Sequence, residues 1–471
     1  MKKSVLVILF SIFILTISAC NNSNEGVFSS YPNNTIAVGS DEDNNTFVYN
    51  REGKIIKEFS GEYIYDVHYN LKCNVVVLEL DETAYIISND KVKQIKREIE
   101  DLVISDSGNT VFYKFKDDKY DMYLEAYDVS SGKAQIIDKS EEGYFYELCV
   151  SPDGKTFAYY HDGIEETFIS VNGKKPVSLG KEISPIAVAN EGKLIYGWDN
   201  DYNFIVMNGS TTNILSTASI DIFFNRDYSE VLVFGDEISI SVNGAKTTTL
   251  LKERQYYPYV LVAEGTFYDT LKPGSSDSYV VYGLDSFLDK YIFFDDSYDD
   301  KLYYINKDLK AIEVCDSVYD HGVTNSNELF YSKYDSINKC VKEKSDIILE
   351  TKSSSLMIPR NSDGFYYISS GDLYYKKNGK EASLITDNSI LDMEISGDIV
   401  YYLLEEEDGK NVLYYSKNGE VGKKVKNGEN VESIKSYHGN MIYFLKQTDE
   451  QWDLYLNTSD DRIDLVIKNY D

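Results

Sequence analysis

Histidine, tryptophan, proline and cysteine are all scarce in this chain of 471 residues, and each shortage narrows what it can do. The four histidines, His68, His161, His321 and His438, stand far apart with no His-x-x-x-His or similar ligand spacing. No metal site is expected, and each histidine reads as a turn or strand-edge residue. Seven prolines and few long polar gaps argue against domains strung on linkers. Cys73, Cys149, Cys315 and Cys340 sit inside apolar runs without zinc spacing, where a thiol behaves as a small buried hydrophobe. Cys315 and Cys340 fall in neighbouring repeats, so a disulfide between them in an oxidising compartment stays open. No sustained 3.6-residue apolar period occurs, which leaves little room for helices. Basic residues are short as well: 47 Lys and Arg against 78 Asp and Glu give a net charge of −31. That excess repels phosphate backbones and anionic headgroups, so no nucleic-acid partner is expected.

What is present begins at the N-terminus. Lys2 and Lys3 precede the apolar run from Val5 to Ile17, thirteen residues long and short of the ~20 that span a bilayer as a helix. Ile17-Ser18-Ala19-Cys20 then places small residues before a cysteine. The segment resembles the lipobox of bacterial lipoproteins, with Ile17 where leucine is commoner. The resemblance implies cleavage before Cys20, attachment of fatty acyl chains such as palmitate to Cys20, and residence on the extracytoplasmic face of the cell membrane. On this reading residues 1–20 are a signal peptide and 21–30 a polar tether too poor in apolar residues to pack. Residues 31–471 are then one repeat region.

That region repeats a phrase of strand, tight turn and polar strand start. It is clearest at Phe47 to Lys54, Phe168 to Lys174, Leu373 to Lys380 and Leu413 to Glu420. Eleven copies are spaced 34 to 42 residues apart, except for one interval of 65 that holds an insertion at 251–290 around Tyr256-Tyr257-Pro258 and Lys272-Pro273-Gly274. Each copy reads as about four short strands. Turns such as Asn172-Gly173, Asn243-Gly244, Asn378-Gly379 and Asn418-Gly419 mark hairpins, because both residues tolerate positive φ. The fold class is all-β, and four-stranded units of this length indicate propeller blades. Val150-Ser151-Pro152-Asp153-Gly154-Lys155-Thr156-Phe157-Ala158-Tyr159 resembles the signature phrase of TolB-type, WD-repeat-like β-propellers. Weaker echoes stand at Ile104 to Tyr113 and Asn361 to Tyr367. Paired tyrosines, Tyr303-Tyr304, Tyr366-Tyr367, Tyr374-Tyr375, Tyr401-Tyr402 and Tyr414-Tyr415, put rings on both faces of a strand, as a sheet covered on both sides requires. A carbohydrate-binding aromatic surface is the rival account of these rings. Eleven units exceed the four to eight blades of an ordinary propeller, so either one large ring or two smaller propellers divided at 251–290 is expected.

Catalytic motifs are absent from the sequence. Gly274-Ser275-Ser276-Asp277-Ser278 lacks the second glycine of a nucleophile elbow, and Asp153-Gly154 is not followed by the tryptophan of a sialidase box. Two tryptophans, Trp198 and Trp452, do not make a quinone-binding propeller. The acidic runs Asp41 to Asn45, Asp199 to Asp201 and Asp295 to Asp300 offer oxygen ligands, yet none has the spacing of a calcium loop and all suit hairpin tips. No catalytic residue, metal ligand or cofactor is therefore assigned, and Cys20 is the single site residue. The reading is a lipid-anchored, non-catalytic binding or scaffold protein for a protein, peptide or envelope glycan. The alternative is an extracytoplasmic polysaccharide-active enzyme, a hydrolase or lyase, with carboxylates from different units meeting in the channel. The TolB-type resemblance adds a part in envelope assembly by analogy of fold. Cys20→Ala is expected to move the protein out of the membrane fraction and abolish fatty-acid labelling. Unchanged fractionation would contradict lipidation at this position.

Overall fold

The structure, a computed structural model, describes residues 36–470 with breaks chiefly at 41–44, 253–257, 267–277, 281–285, 295–300 and 360–363. Cys20 with the signal and tether, Cys73, His438, the acidic runs at 41–44 and 295–300, the turn residues 361–363 and most of 251–290 lie outside the described residues.

The described strands form eleven consecutive antiparallel units, at 36–59, 66–95, 101–140, 145–178, 184–216, 219–251, 258–316, 320–350, 355–386, 390–429 and 431–470. Within a unit the strands, here called a to d, follow chain order, so every unit is a run of hairpins. Unit 4 shows the pattern, with strands Phe145–Val150, Thr156–His161, Glu166–Val171 and Val177–Ser178. Its c–d turn, Asn172 (φ 54°) and Gly173 (φ 64°), is left-handed at both residues, as a two-residue hairpin requires. Among the described residues the single helical turn is Asn190–Gly192.

Departures from four strands are local. Unit 1 has three, and units 6 and 7 have five each because of the insertion. The insertion opens after strand a of unit 7, Pro258–Val262. Its short strand Ser278–Val280 crosses to unit 6 and pairs in parallel with that unit's strand a, Ser219–Phe224. It therefore extends the inner edge of unit 6. The returning chain is held there by the buried Glu230 carboxylate, which accepts from the Phe287 N–H at 2.6 Å and the Ser286 hydroxyl at 2.8 Å.

Each unit stacks on the next through an apolar layer, ten of them among the described residues. The paired tyrosines follow from this stacking, because neighbouring residues on a strand point to opposite faces. Tyr401 packs between units 10 and 11 with Phe444 and Ile463, whereas Tyr402 packs between units 9 and 10 with Tyr366 and Leu373. Tyr303 and Tyr304 divide in the same way, as do Tyr366 and Tyr367. These rings are core, which removes them as a sugar-binding surface. Strand d is the outer edge in most units, and Lys91–Ile95 exposes its first four residues, with lysines that block further strand pairing. In units 10 and 11 the two d strands, Lys423–Glu429 and Arg462–Tyr470, meet in parallel at Lys426 and Arg462 and join the units into one eight-stranded sheet. A succession of blade-type sheets stacked face to face is the architecture of a β-propeller.

The three described histidines, His68, His161 and His321, lie within strands and not in turns. His161 is buried between the rings of Phe145, at 4.9 Å, and Phe168, at 6.2 Å. Burial also lowers the pKa of His321, in strand a of unit 8. Cys149, Cys315 and Cys340 are buried thiols, the last two in the same layer between units 7 and 8 and not bonded to each other.

Tyr401→Ala and Tyr402→Ala should each destabilise by about 3–5 kcal/mol in urea denaturation. Because the rings sit in different layers, the double variant should show their sum to within about 0.5 kcal/mol. Strong coupling between the two would mean that the rings share one layer.

Candidate functional site

Chain-order hairpins put a–b and c–d turns at one end of every unit, and b–c tips with d–a connections at the other. The two ends differ in chemistry.

At the first end the a–b turns are occupied with one another. Several begin with a short polar side chain that folds back onto its own backbone: Ser151 Oγ accepts from the Thr156 N–H at 2.9 Å, Ser105 Oγ from Thr110 at 3.1 Å and Asn225 Oδ1 from Glu230 at 2.9 Å. Neighbouring turns then bond in series. Asn70 donates to the Asp106 carbonyl at 3.2 Å, the Ser107 N–H to the Pro152 carbonyl at 3.1 Å, and the Asp153 N–H to Asn190 Oδ1 at 3.1 Å. The Tyr196 hydroxyl bonds the Tyr228 carbonyl at 2.9 Å, and the Tyr228 hydroxyl reaches Asp106 at 3.4 Å, tying unit 6 back to unit 3. The signature phrase is thus one link of a belt. Gly154 is required in it, because at φ 74° an added Cβ would lie 2.8 Å from Thr110 Oγ1. The c–d turns at this end expose lysines, among them Lys54, Lys91, Lys133, Lys174, Lys246 and Lys344.

The second end carries acid and aromatic rings. All eight exposed tyrosines among the described residues are here: Tyr120, Tyr202 and Tyr334 on b–c tips, Tyr63, Tyr65, Tyr144 and Tyr319 in d–a connections, and Tyr146 at the start of a strand a. Two tips are copies of each other. In Asp117-Asp118-Lys119-Tyr120-Asp121 and Asp199-Asn200-Asp201-Tyr202-Asn203 the tyrosine N–H donates to the first aspartate's carbonyl at 2.9 Å. Both tyrosines are left-handed, at φ 66° and 59°, and stand 84% and 82% exposed. Such a backbone costs a residue with a Cβ about 1–2 kcal/mol, and at Glu406 and Lys410 the equivalent pair of hydrogen bonds is made with Gly409 in that place.

The aspartates at the base of these tips are used by the fold. Asp117 Oδ1 accepts from Lys119 at 2.9 Å and Asp121 at 3.0 Å; Asp199 Oδ1 accepts from Asp201 at 3.0 Å and Asn203 at 2.9 Å. Desolvation pushes both carboxyls up, but these hydrogen bonds, with the Tyr123 hydroxyl on Asp117 and the Asn203 amide on Asp199, outweigh it and lower both. Any stability they add is present above the ordinary carboxylate range and lost only as pH falls through their lowered values. Of the acidic runs read from the sequence, Asp199 to Asp201 is therefore a hairpin frame. Among the described residues no group of three His, Cys, Asp or Glu side chains is placed to hold a metal. A cleft of about 390 Å³ opens at this end between units 5 and 6, lined by Ile214, Thr217, Val233, Glu237, Ser239 and Lys252.

The exposed tyrosines escape a reading that treats tyrosine as strand core. Their signal was available: Tyr120 and Tyr202 interrupt Asp- and Asn-rich turns where Gly or Asn is the ordinary choice.

No protein-family model matches the chain, and no curated protein matches it. Among solved structures it is similar to a protein assigned as TolB from Agrobacterium tumefaciens, 13% identical, the match covering 43% of this chain and 88% of that one with a TM-score of 0.29. A eukaryotic initiation factor is 10% identical over 83% of this chain and 95% of that one, TM-score 0.40. A nidogen/laminin complex is 11% identical over 39% and 82%, TM-score 0.25. The fold therefore rests on this chain's own sheets.

Tyr120→Gly and Tyr202→Gly should be neutral or stabilising by up to about 1 kcal/mol, since glycine relieves the left-handed backbone and an exposed ring contributes little packing. A loss above that, measured by thermal unfolding, would show that the rings are held by the fold itself.

Proposed function

We propose that the chain is a lipid-anchored, extracytoplasmic, non-catalytic propeller that binds a protein, peptide or envelope glycan through its tyrosine-bearing end. One observation carries this reading: exposed rings gather at one end, two of them at left-handed turn positions where Gly409 makes the equivalent bond without a ring. Aromatic side chains exposed together mark recognition surfaces, because they bury large area at small entropic loss.

Chain direction supports the orientation. Ile36, the first described residue, pairs with Asn50 beside the c–d turn of unit 1, so the N-terminal segment joins the lysine-bearing end. A lipid on Cys20 would hold that end toward the membrane and leave the tyrosines facing away.

Two measurements test the proposal. Crosslinking on intact cells, with a photoreactive residue at Tyr202 or at Lys174, should give adducts from the tyrosine end only; adducts from Lys174 alone would place the binding end wrongly. The purified protein should turn over none of a panel of wall and matrix glycans. Release of product from any of them would replace the binding reading with an enzymatic one.

A further inference from the structure

We infer that the partner presented to the tyrosine end is a cationic polypeptide segment rich in Lys or Arg. The inference rests on the proposed binding end and names its ligand chemistry.

The chain already shows how this end treats a cation. Lys116 Nζ sits 2.5 Å from Glu100 and 4.8 Å from the centre of the Tyr144 ring. Lys139 Nζ sits 2.8 Å from Asp121 and 5.5 Å from the Tyr123 ring. Lys352 Nζ stands 4.8 Å over the Tyr334 ring. In the first two cases one carboxylate and one phenol ring hold the ammonium group together, the ring face supplying its negative quadrupole and the carboxylate its charge. Unit 3 repeats the arrangement on both sides of its b–c tip.

Tyr120 and Tyr202 offer the same pair of groups to solvent. Each lies within two residues of an exposed aspartate that is not the base of the hairpin frame, Asp118 beside Tyr120 and Asp201 beside Tyr202, on hairpins with closely similar hydrogen bonding in units 3 and 5. Two such stations separated by one unit suit an extended strand of alternating cations better than a single small ion. The charge of the whole chain favours the same occupant. At −31 it draws basic segments and repels acidic ones, and its exposed c–d lysines lie at the opposite end, so the attraction has a direction. A neutral glycan could stack on the rings but would gain nothing from this field.

The test uses the full-length lipidated protein in detergent, with fluorescent decaarginine, decaglutamate and a chitin hexasaccharide as probes in anisotropy titrations. Decaarginine should bind, with affinity falling as salt rises. The variant Tyr120→Ala/Tyr202→Ala keeps the net charge, and it should weaken decaarginine about tenfold, the equivalent of roughly 1.4 kcal/mol. Asp118→Asn/Asp201→Asn should weaken it and flatten the salt dependence, whereas Asp308→Asn at the opposite end should change nothing. Thermal unfolding of each variant checks that the fold is intact. Decaarginine binding that ignores the tyrosine variant would be attraction to net charge alone and would overturn the inference. Hexasaccharide binding that depends on the tyrosines, without decaarginine binding, would also overturn it while leaving the binding end in place. Tyrosine-independent behaviour of every probe, together with crosslinks only at Lys174, would remove both.

Discussion

Burial of both faces of every interior sheet is the constraint on which this molecule depends. A four-stranded hairpin run cannot close off its own apolar faces, so each unit is completed by its neighbours. The tyrosine pairs make that visible at the level of single bonds. Because adjacent side chains leave a strand in opposite directions, Tyr401 and Tyr402 serve two different layers although they share a peptide bond. The same requirement explains a composition rich in tyrosine. A phenol fills a wide gap between sheets while its hydroxyl still reaches a partner, as Tyr366 does with Ser416 at 3.0 Å and the Gly419 N–H at 2.8 Å.

Stacking alone would allow units to slide or fan apart, and the a–b turns limit this. Their polar side chains close each turn and then bond to the next, from Asn70 through Ser107 and Asp153 to Tyr196 and Tyr228. In units 2 to 6 this end is thereby committed to structure. The other end is released from that duty, and its tips hold residues that stability would not choose. Left-handed residues other than glycine occur at both ends, Glu191 and Tyr228 among the a–b turns, but Tyr120 and Tyr202 add an exposed ring to that backbone.

Charge follows the same division. Exposed lysines concentrate on the c–d turns and carboxylates on the b–c tips, so the chain is polar along its blades as well as acidic overall. The insertion belongs to neither end in a simple way. It adds Ser278–Val280 to the inner edge of unit 6 and returns through Phe287 onto the buried Glu230.

Much of the fold was legible in residue order. Asn-Gly turns at 172, 243 and 418 require positive φ and took it, because local backbone preferences do not depend on distant contacts, and the spacing of all eleven repeat copies gave the number of units. The alternation rule likewise assigned the paired tyrosines to two faces. Residue order could not say which polar turn residues would bond across units, since Ser107 and Pro152 are brought together only when units 3 and 4 stack. Nor could it place His161 between two rings. Exposure and the sidedness of charge are properties of the assembled units. Strand direction converts a list of turns into two chemically different ends, and that conversion exists only in three dimensions.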